Sequence, residues 1–135
     1  MPFPENVKIV EVGPRDGLQN ETQILSIEQR IKFIQSLASS GLRHIEAGSF
    51  ISPKWVPQMA NTAGVLSGLE LDADIHYPVL VPNLRGMQDA LAAGAREVAV
   101  FAAASETFSQ KNINCSIDVP VYYLRIIQFD NVPAS

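Results

Sequence analysis

Ser40-Gly41-Leu42-Arg43-His44-Ile45-Glu46 recurs in kind at Ala93-Gly94-Ala95-Arg96-Glu97-Val98-Ala99. Each stretch sets a small residue before a glycine, then an apolar residue, an arginine and a strand-forming run. Glycine stops a helix there because it takes the left-handed backbone conformation at no steric cost. The pair therefore marks two helix-to-strand junctions, the punctuation that stacked βα units share. Side chains alternate along a strand. With Ile45 and Val98 toward the helices, Glu46 and Ala99 point to the opposite face of the sheet.

Working outward, apolar runs of strand length alternate with longer stretches of helical period. Val7-Lys8-Ile9-Val10-Glu11-Val12 reads as a first strand, broken by Gly13-Pro14. Ser26 offers an N-cap, and Ile27, Ile31, Ile34, Leu37 and Ala38 then recur on one helix face up to Gly41. A second strand, Arg43 to Ala47, opens into a loop containing Ser52-Pro53-Lys54-Trp55-Val56-Pro57. Met59, Ala63 and Leu66 predict a short helix, and Tyr77 to Val81 a third strand. Asn83 caps a third helix through Met87, Ala90 and Leu91 to Gly94, and Val98 to Phe101 makes a fourth strand.

Four βα units admit two architectures: an open doubly wound sheet, complete at this length, or the first half of a (β/α)8 barrel, which needs about 250 residues in full. Periodicity alone does not choose between them. After Asp118 the pattern changes, since Val119 to Phe129 is β-prone and weakly charged and no further helical period follows. That segment is either a strand of a small sheet or a sequence foreign to the fold, which would be an aggregation liability if exposed.

Composition narrows the function classes. The chain has 135 residues, 47% hydrophobic and 18% charged, which suits one packed domain. Ten Lys and Arg against fourteen Asp and Glu give a net charge of −4, which offers no electrostatic grip on a nucleic-acid backbone. One cysteine closes no internal disulfide, and no apolar run reaches the roughly 18–20 residues that span a bilayer. The start has no targeting character, so a cytoplasmic location is expected.

In parallel α/β folds the chemistry gathers at the carboxyl ends of strands. After the first strand, Arg15 and Asp16 lie adjacent between Gly13 and Gly17. A carboxylate there suits a cation and a guanidinium suits a developing oxyanion, and the competing reading is a solvated surface turn. After the second strand comes Glu46; a buried carboxylate needs a partner, and Arg15 at the head of the adjacent strand is the natural one. After the fourth strand, Ala102 to Phe108 leads to Lys111 and Cys115. A lone cysteine without a nearby histidine is more often inert than nucleophilic. His44 and His76 stand 32 positions apart, so spacing alone builds no metal site and structural or surface roles are expected for both.

Four ordered motifs carry a resemblance. Lys8 to Glu21 (KIVEVGPRDGLQNE), Ser49 to Met59 (SFISPKWVPQM), Tyr77 to Leu84 (YPVLVPNL), and Ala102 to Phe108 followed by Lys111 to Ile117 closely resemble the 3-hydroxy-3-methylglutaryl-CoA lyase family. Isopropylmalate and homocitrate synthases of the same barrel superfamily typically carry Leu-Arg-Asp-Gly-Glu-Gln in the first motif; Pro14 before Arg15 and Leu18-Gln19-Asn20 after Gly17 favour the lyase.

The resemblance implies an α/β chain, a partial (β/α)8 TIM barrel truncated after its first four βα units. Residues 1–118 would be the amino-terminal half of the lyase domain and 119–135 an unrelated tail. It implies a carbon–carbon lyase that splits hydroxymethylglutaryl-CoA into acetyl-CoA and acetoacetate, in leucine degradation and ketone-body formation. By the same resemblance Asp16 ligates Mg2+ or Mn2+, Arg15 neutralises the enolate oxygen, and Glu46 positions Arg15. Gln19, Ser49 and Asn83 fall in the substrate pocket. The family's His-x-His metal pair, Asn ligand and catalytic Cys have no counterparts among these 135 residues, and Cys115 matches a different position. The expected partner is a CoA thioester rather than nucleic acid or membrane, with homo-oligomerisation left open. The isolated chain is expected to turn over little or no substrate. A non-catalytic interaction or regulatory fragment, and a condensing synthase, are the alternatives.

Overall fold

The computed structural model describes residues 2–71 and 74–100. The motifs from Ala102 to Ile117, Cys115 among them, and the 119–135 segment lie outside the described residues. Helices α1 (Ile27–Ser39), α2 (Thr62–Ser67) and α3 (Leu84–Ala92) alternate with strands β1 (Gly48–Ser49), β2 (Val79–Leu80) and β3 (Val98–Ala99). A π-helical turn at Gly13–Gly17 and a 3-10 turn at Pro57–Met59 complete the elements.

Local signals fix the helix ends. Ser26 Oγ accepts from the Gln29 amide at 3.1 Å while Gln29 Oε1 accepts from the Ser26 amide at 2.9 Å, a reciprocal capping box. Ser26→Ala breaks one half of it and is expected to cost about 1 kcal/mol, read as a lower urea midpoint with an unchanged slope. Asn83 Oδ1 accepts from the Gly86 amide at 2.8 Å and starts α3. At the other ends, Gly41 has φ +105° and Gly94 φ +84°, both left-handed. The Gly94 amide donates to Leu91 O and the Ala95 amide to Ala90 O, which closes the last turn of α3. The two glycines of the repeat thus do the same physical work.

The strands are parallel and neighbour one another in chain order, with Gly48 opposite Val79 and Val79 opposite Val98. Upstream, His44 bridges His76, and Glu11 bridges Ile45. The Glu11 amide donates to His44 O at 2.9 Å and the Glu46 amide to Glu11 O at 2.8 Å. The first predicted strand, Val7 to Val12, is therefore reduced to a single bridge. It lies at the edge of the described sheet, and Val7 and Ile9 are 76% and 63% exposed, so little apolar contact holds it flat.

One hydrophobic cluster decides the layer arrangement. It joins Ile34 of α1, Val65 and Leu66 of α2, and Met87 and Ala90 of α3 to the alternating residues Ile45, Ala47, Tyr77, Val79 and Val81. All three described helices therefore cover the same face of the sheet. A doubly wound sheet reverses its strand order and places helices on both faces, whereas a barrel keeps chain order and one covered face. The described residues follow the barrel pattern. Leu91, predicted along α3, is 57% exposed and lies off this face.

Arg30 was not singled out by the apolar pattern, yet it shares the buried face of α1, three residues after Ile27 and four before Ile34. Its side chain is buried; Nη1 donates to Ala60 O at 2.6 Å and Nη2 to Thr62 Oγ1 at 3.1 Å. Burial lowers its pKa from the ordinary arginine value. A bare glycine at 48 makes room for this contact, because a Cβ there would lie 2.7 Å from Thr62 Cγ2 and 3.1 Å from Arg30 Nη2.

Candidate active site

Pro14 opens the π-helical turn, and the amides of Arg15, Asp16 and Gly17 all donate to Val12 O, at 3.1, 2.7 and 3.4 Å. Winding the chain tightly around one carbonyl lifts the Arg15 side chain over the end of the sheet. Arg15 Nε donates to Glu46 Oε1 at 2.6 Å and Nη1 to Asp16 Oδ1 at 3.2 Å. The pairing expected from adjacent strands is thus present. It also explains how Glu46 tolerates burial on the face opposite the helices, since its side chain is only 8% exposed and its charge is met by a guanidinium.

Exposure separates the roles these groups can take. The Asp16 side chain is 56% exposed, against 18% for Arg15. Glu46 is committed to orienting Arg15, and Glu11 Oε1 is committed to the Gly13 amide at 2.8 Å. Asp16 keeps oxygen lone pairs turned to solvent, and the Asn20 side chain steadies its backbone by donating to Asp16 O at 2.8 Å. An exposed carboxylate of this kind has the oxygen chemistry that suits a hard divalent cation.

The other predicted residues fall into a second group. Ser49 Oγ donates to Leu80 O at 3.2 Å and accepts from the Ile51 amide at 3.2 Å. Ser49 and Asn83 both line an open cavity of about 710 Å3, together with Phe50, Ser52 and Arg85. The Asn83 oxygen is already engaged in capping α3, so the side-chain NH2 is the group it can offer to the cavity. Gln19 is half-buried, directly after the π-helical turn, and does not line that cavity. Arg15, Asp16 and Glu46 do not line it either.

The HMGL-like family model matches residues 6–124, six residues beyond Asp118. The chain is 61% identical over 116 residues to the mitochondrial hydroxymethylglutaryl-CoA lyase of Bos taurus, covering 86% of this chain and 36% of that protein. It is 56% identical over 117 residues to the 3-hydroxy-3-isohexenylglutaryl-CoA/hydroxy-methylglutaryl-CoA lyase of Pseudomonas aeruginosa, 87% of this chain and 39% of the other. Among solved structures, a hydroxymethylglutaryl-CoA lyase from Pseudomonas aeruginosa superposes with a TM-score of 0.85 at 50% identity, over 95% of this chain and 43% of that one. An Acinetobacter lyase in complex with coenzyme A and 3-methylmalate gives a TM-score of 0.87 at 32% identity, over 97% and 43%. The chain thus spans a little over a third of the length of the curated relatives it matches.

Proposed function

The chain belongs to the HMGL-like family, and from that premise we propose that it contributes the Arg15–Asp16–Glu46 part of the active site of a metal-dependent lyase acting on 3-hydroxy-3-methylglutaryl-CoA. The observation that carries this reading is Arg15 held between two carboxylates, one buried and one open to solvent. The complex of the Acinetobacter relative with coenzyme A and 3-methylmalate supports a CoA thioester as the ligand class.

Cleavage requires a base to take the tertiary hydroxyl proton. The carbon–carbon bond then breaks, its electron pair passes into a thioester enolate, acetoacetate departs, and the enolate carbon takes up a proton to give acetyl-CoA. Arg15 acts at the enolate oxygen, where its guanidinium meets negative charge as that charge develops. Glu46 holds the guanidinium plane through Nε and Asp16 engages Nη1, which leaves Nη2 to face substrate. Asp16 would hold Mg2+ or Mn2+, which would supply Lewis-acid polarisation of substrate oxygens. Ser49 and Asn83 contact the acyl-CoA from the neighbouring strand ends, with Gln19 beside the π-helical turn. In the same reading the described sheet belongs to the first four βα units of the barrel, and the lyase portion ends between residue 118 and residue 124, where the family match stops. Among the described residues no helix is long and apolar enough to cross a membrane. The relatives include mitochondrial and cytoplasmic forms.

Complementation tests this reading. The chain is co-expressed with a polypeptide supplying the rest of a lyase barrel, and acetoacetate formation from hydroxymethylglutaryl-CoA is followed with Mn2+ present. Turnover should appear only with both pieces and fall by at least about 10²-fold in Asp16→Ala. Unchanged turnover in Asp16→Ala would remove Asp16 from the mechanism.

A further inference from the structure

The amino-terminal ends of the strands carry a second group of chemistry-bearing side chains. His44 and His76 face each other across the sheet as bridge partners, their rings stacked with centroids 4.6 Å apart and planes 18° apart. Glu97, at the start of the neighbouring strand, places Oε1 against His76 Nδ1. One nitrogen from each imidazole and one Glu97 oxygen all lie within 4.8 Å of one another. His44 Nδ1 is buried and has no hydrogen-bond partner among the described residues. A buried nitrogen without a partner has lost its water and gained nothing in return, an arrangement that a ligand relieves.

We propose that His44, His76 and Glu97 form a binding site for a divalent transition metal of the zinc class, separate from the hard-cation position at Asp16. Two imidazoles and a carboxylate are a borderline-soft donor set that suits Zn2+ or Co2+ and disfavours Mg2+. Three protein ligands leave a fourth position, and the half-exposed side chains of His76 and Glu97 open it to water. Zn2+ ligands stand about 2.0–2.2 Å from the ion and hence roughly 3.4 Å from each other, so closing the shell requires the two stacked rings to swing until their nitrogens converge, as well as the Glu97 side chain to rotate. Metal binding needs a neutral imidazole. Desolvation first, then Lys8 and His76, push His44 below its ordinary pKa, while Glu97 acts in the opposite sense. The site is distinct in position as well as chemistry. His44 precedes Glu46 by two residues on the same strand face, about 7 Å along the chain, and Arg15 and Asp16 lie beyond Glu46 toward the carboxyl end.

His44 and His76 are the chain's two histidines, which makes the test direct. The metal-free, tag-free full chain is titrated with Co2+ and followed by visible absorption, and with Zn2+ and followed by imidazole proton NMR. One equivalent of Co2+ should produce the intense bands of a low-coordinate ion, and one equivalent of Zn2+ should shift both histidine signals. Glu97→Gln and His76→Ala should each weaken binding by more than about 100-fold, the upper end of what losing even an outer-shell partner costs. Asp16→Asn should leave it intact. Circular dichroism of each variant confirms that the fold is retained, and the wild-type NMR shifts stand even if a variant unfolds. Histidine signals unmoved by one equivalent of Zn2+ would overturn the proposal. So would Co2+ binding that survives in folded Glu97→Gln and His76→Ala but vanishes in Asp16→Asn.

Discussion

Arg15→Gln, in the chain assembled with the rest of a lyase barrel, is expected to lower kcat by about 10²–10³ and to change KM by less than about threefold. The enolate oxygen carries full charge only after the carbon–carbon bond has begun to break, so a guanidinium aimed at it stabilises the transition state far more than bound substrate. Glutamine keeps a donor near Glu46 but removes the charge. Lysine is the informative comparison. It keeps the charge and loses the planar fork, so it cannot donate to Glu46 through Nε, to Asp16 through Nη1 and still present a nitrogen to substrate. Arg15→Lys should therefore recover only a minor part of the loss. Steady-state kinetics of acetoacetate release decide it, and a rise in KM with kcat unchanged would make Arg15 a binding group rather than a group acting on the enolate.

Arg30→Ala is expected to lower the unfolding free energy by about 2–4 kcal/mol, read as the urea midpoint. Three terms compete. Truncation removes two charge-assisted hydrogen bonds, at 2.6 Å to Ala60 O and 3.1 Å to Thr62 Oγ1, each worth about 1.5–3 kcal/mol. It also leaves a hole on the α1 face, beside Gly48. Against these, it relieves the burial of a guanidinium whose Nε has no partner among the described residues. Arg30→Met separates the terms, because methionine refills much of the volume and carries no charge. An intermediate midpoint means that hydrogen bonding outweighs charge burial. A midpoint at or above that of the native chain would show that Arg30 is kept for positioning the Ala60–Thr62 segment against β1 rather than for stability.

The sequence alone determined whatever depends on residues within a turn or two of one another. Ser26 caps α1 and Asn83 caps α3, and Gly41 and Gly94 end helices with positive φ as their repeat implied. The Arg15–Glu46 pair was legible too, because consecutive strands of a βα repeat lie side by side and a buried carboxylate needs a cation. Three things were left to the tertiary structure. Periodicity shows that a helix has an apolar face but not which side of the sheet receives it, so the shared cluster of Ile34, Val65, Leu66, Met87 and Ala90 was needed to choose the barrel pattern over the doubly wound one. Arg30 reads as one polar interruption of an apolar stripe until Ala60 and Thr62 arrive from the distant start of α2. His44, His76 and Glu97 come from separate strands, and strand register, which no local spacing encodes, is what brings their ligand atoms within 4.8 Å of one another.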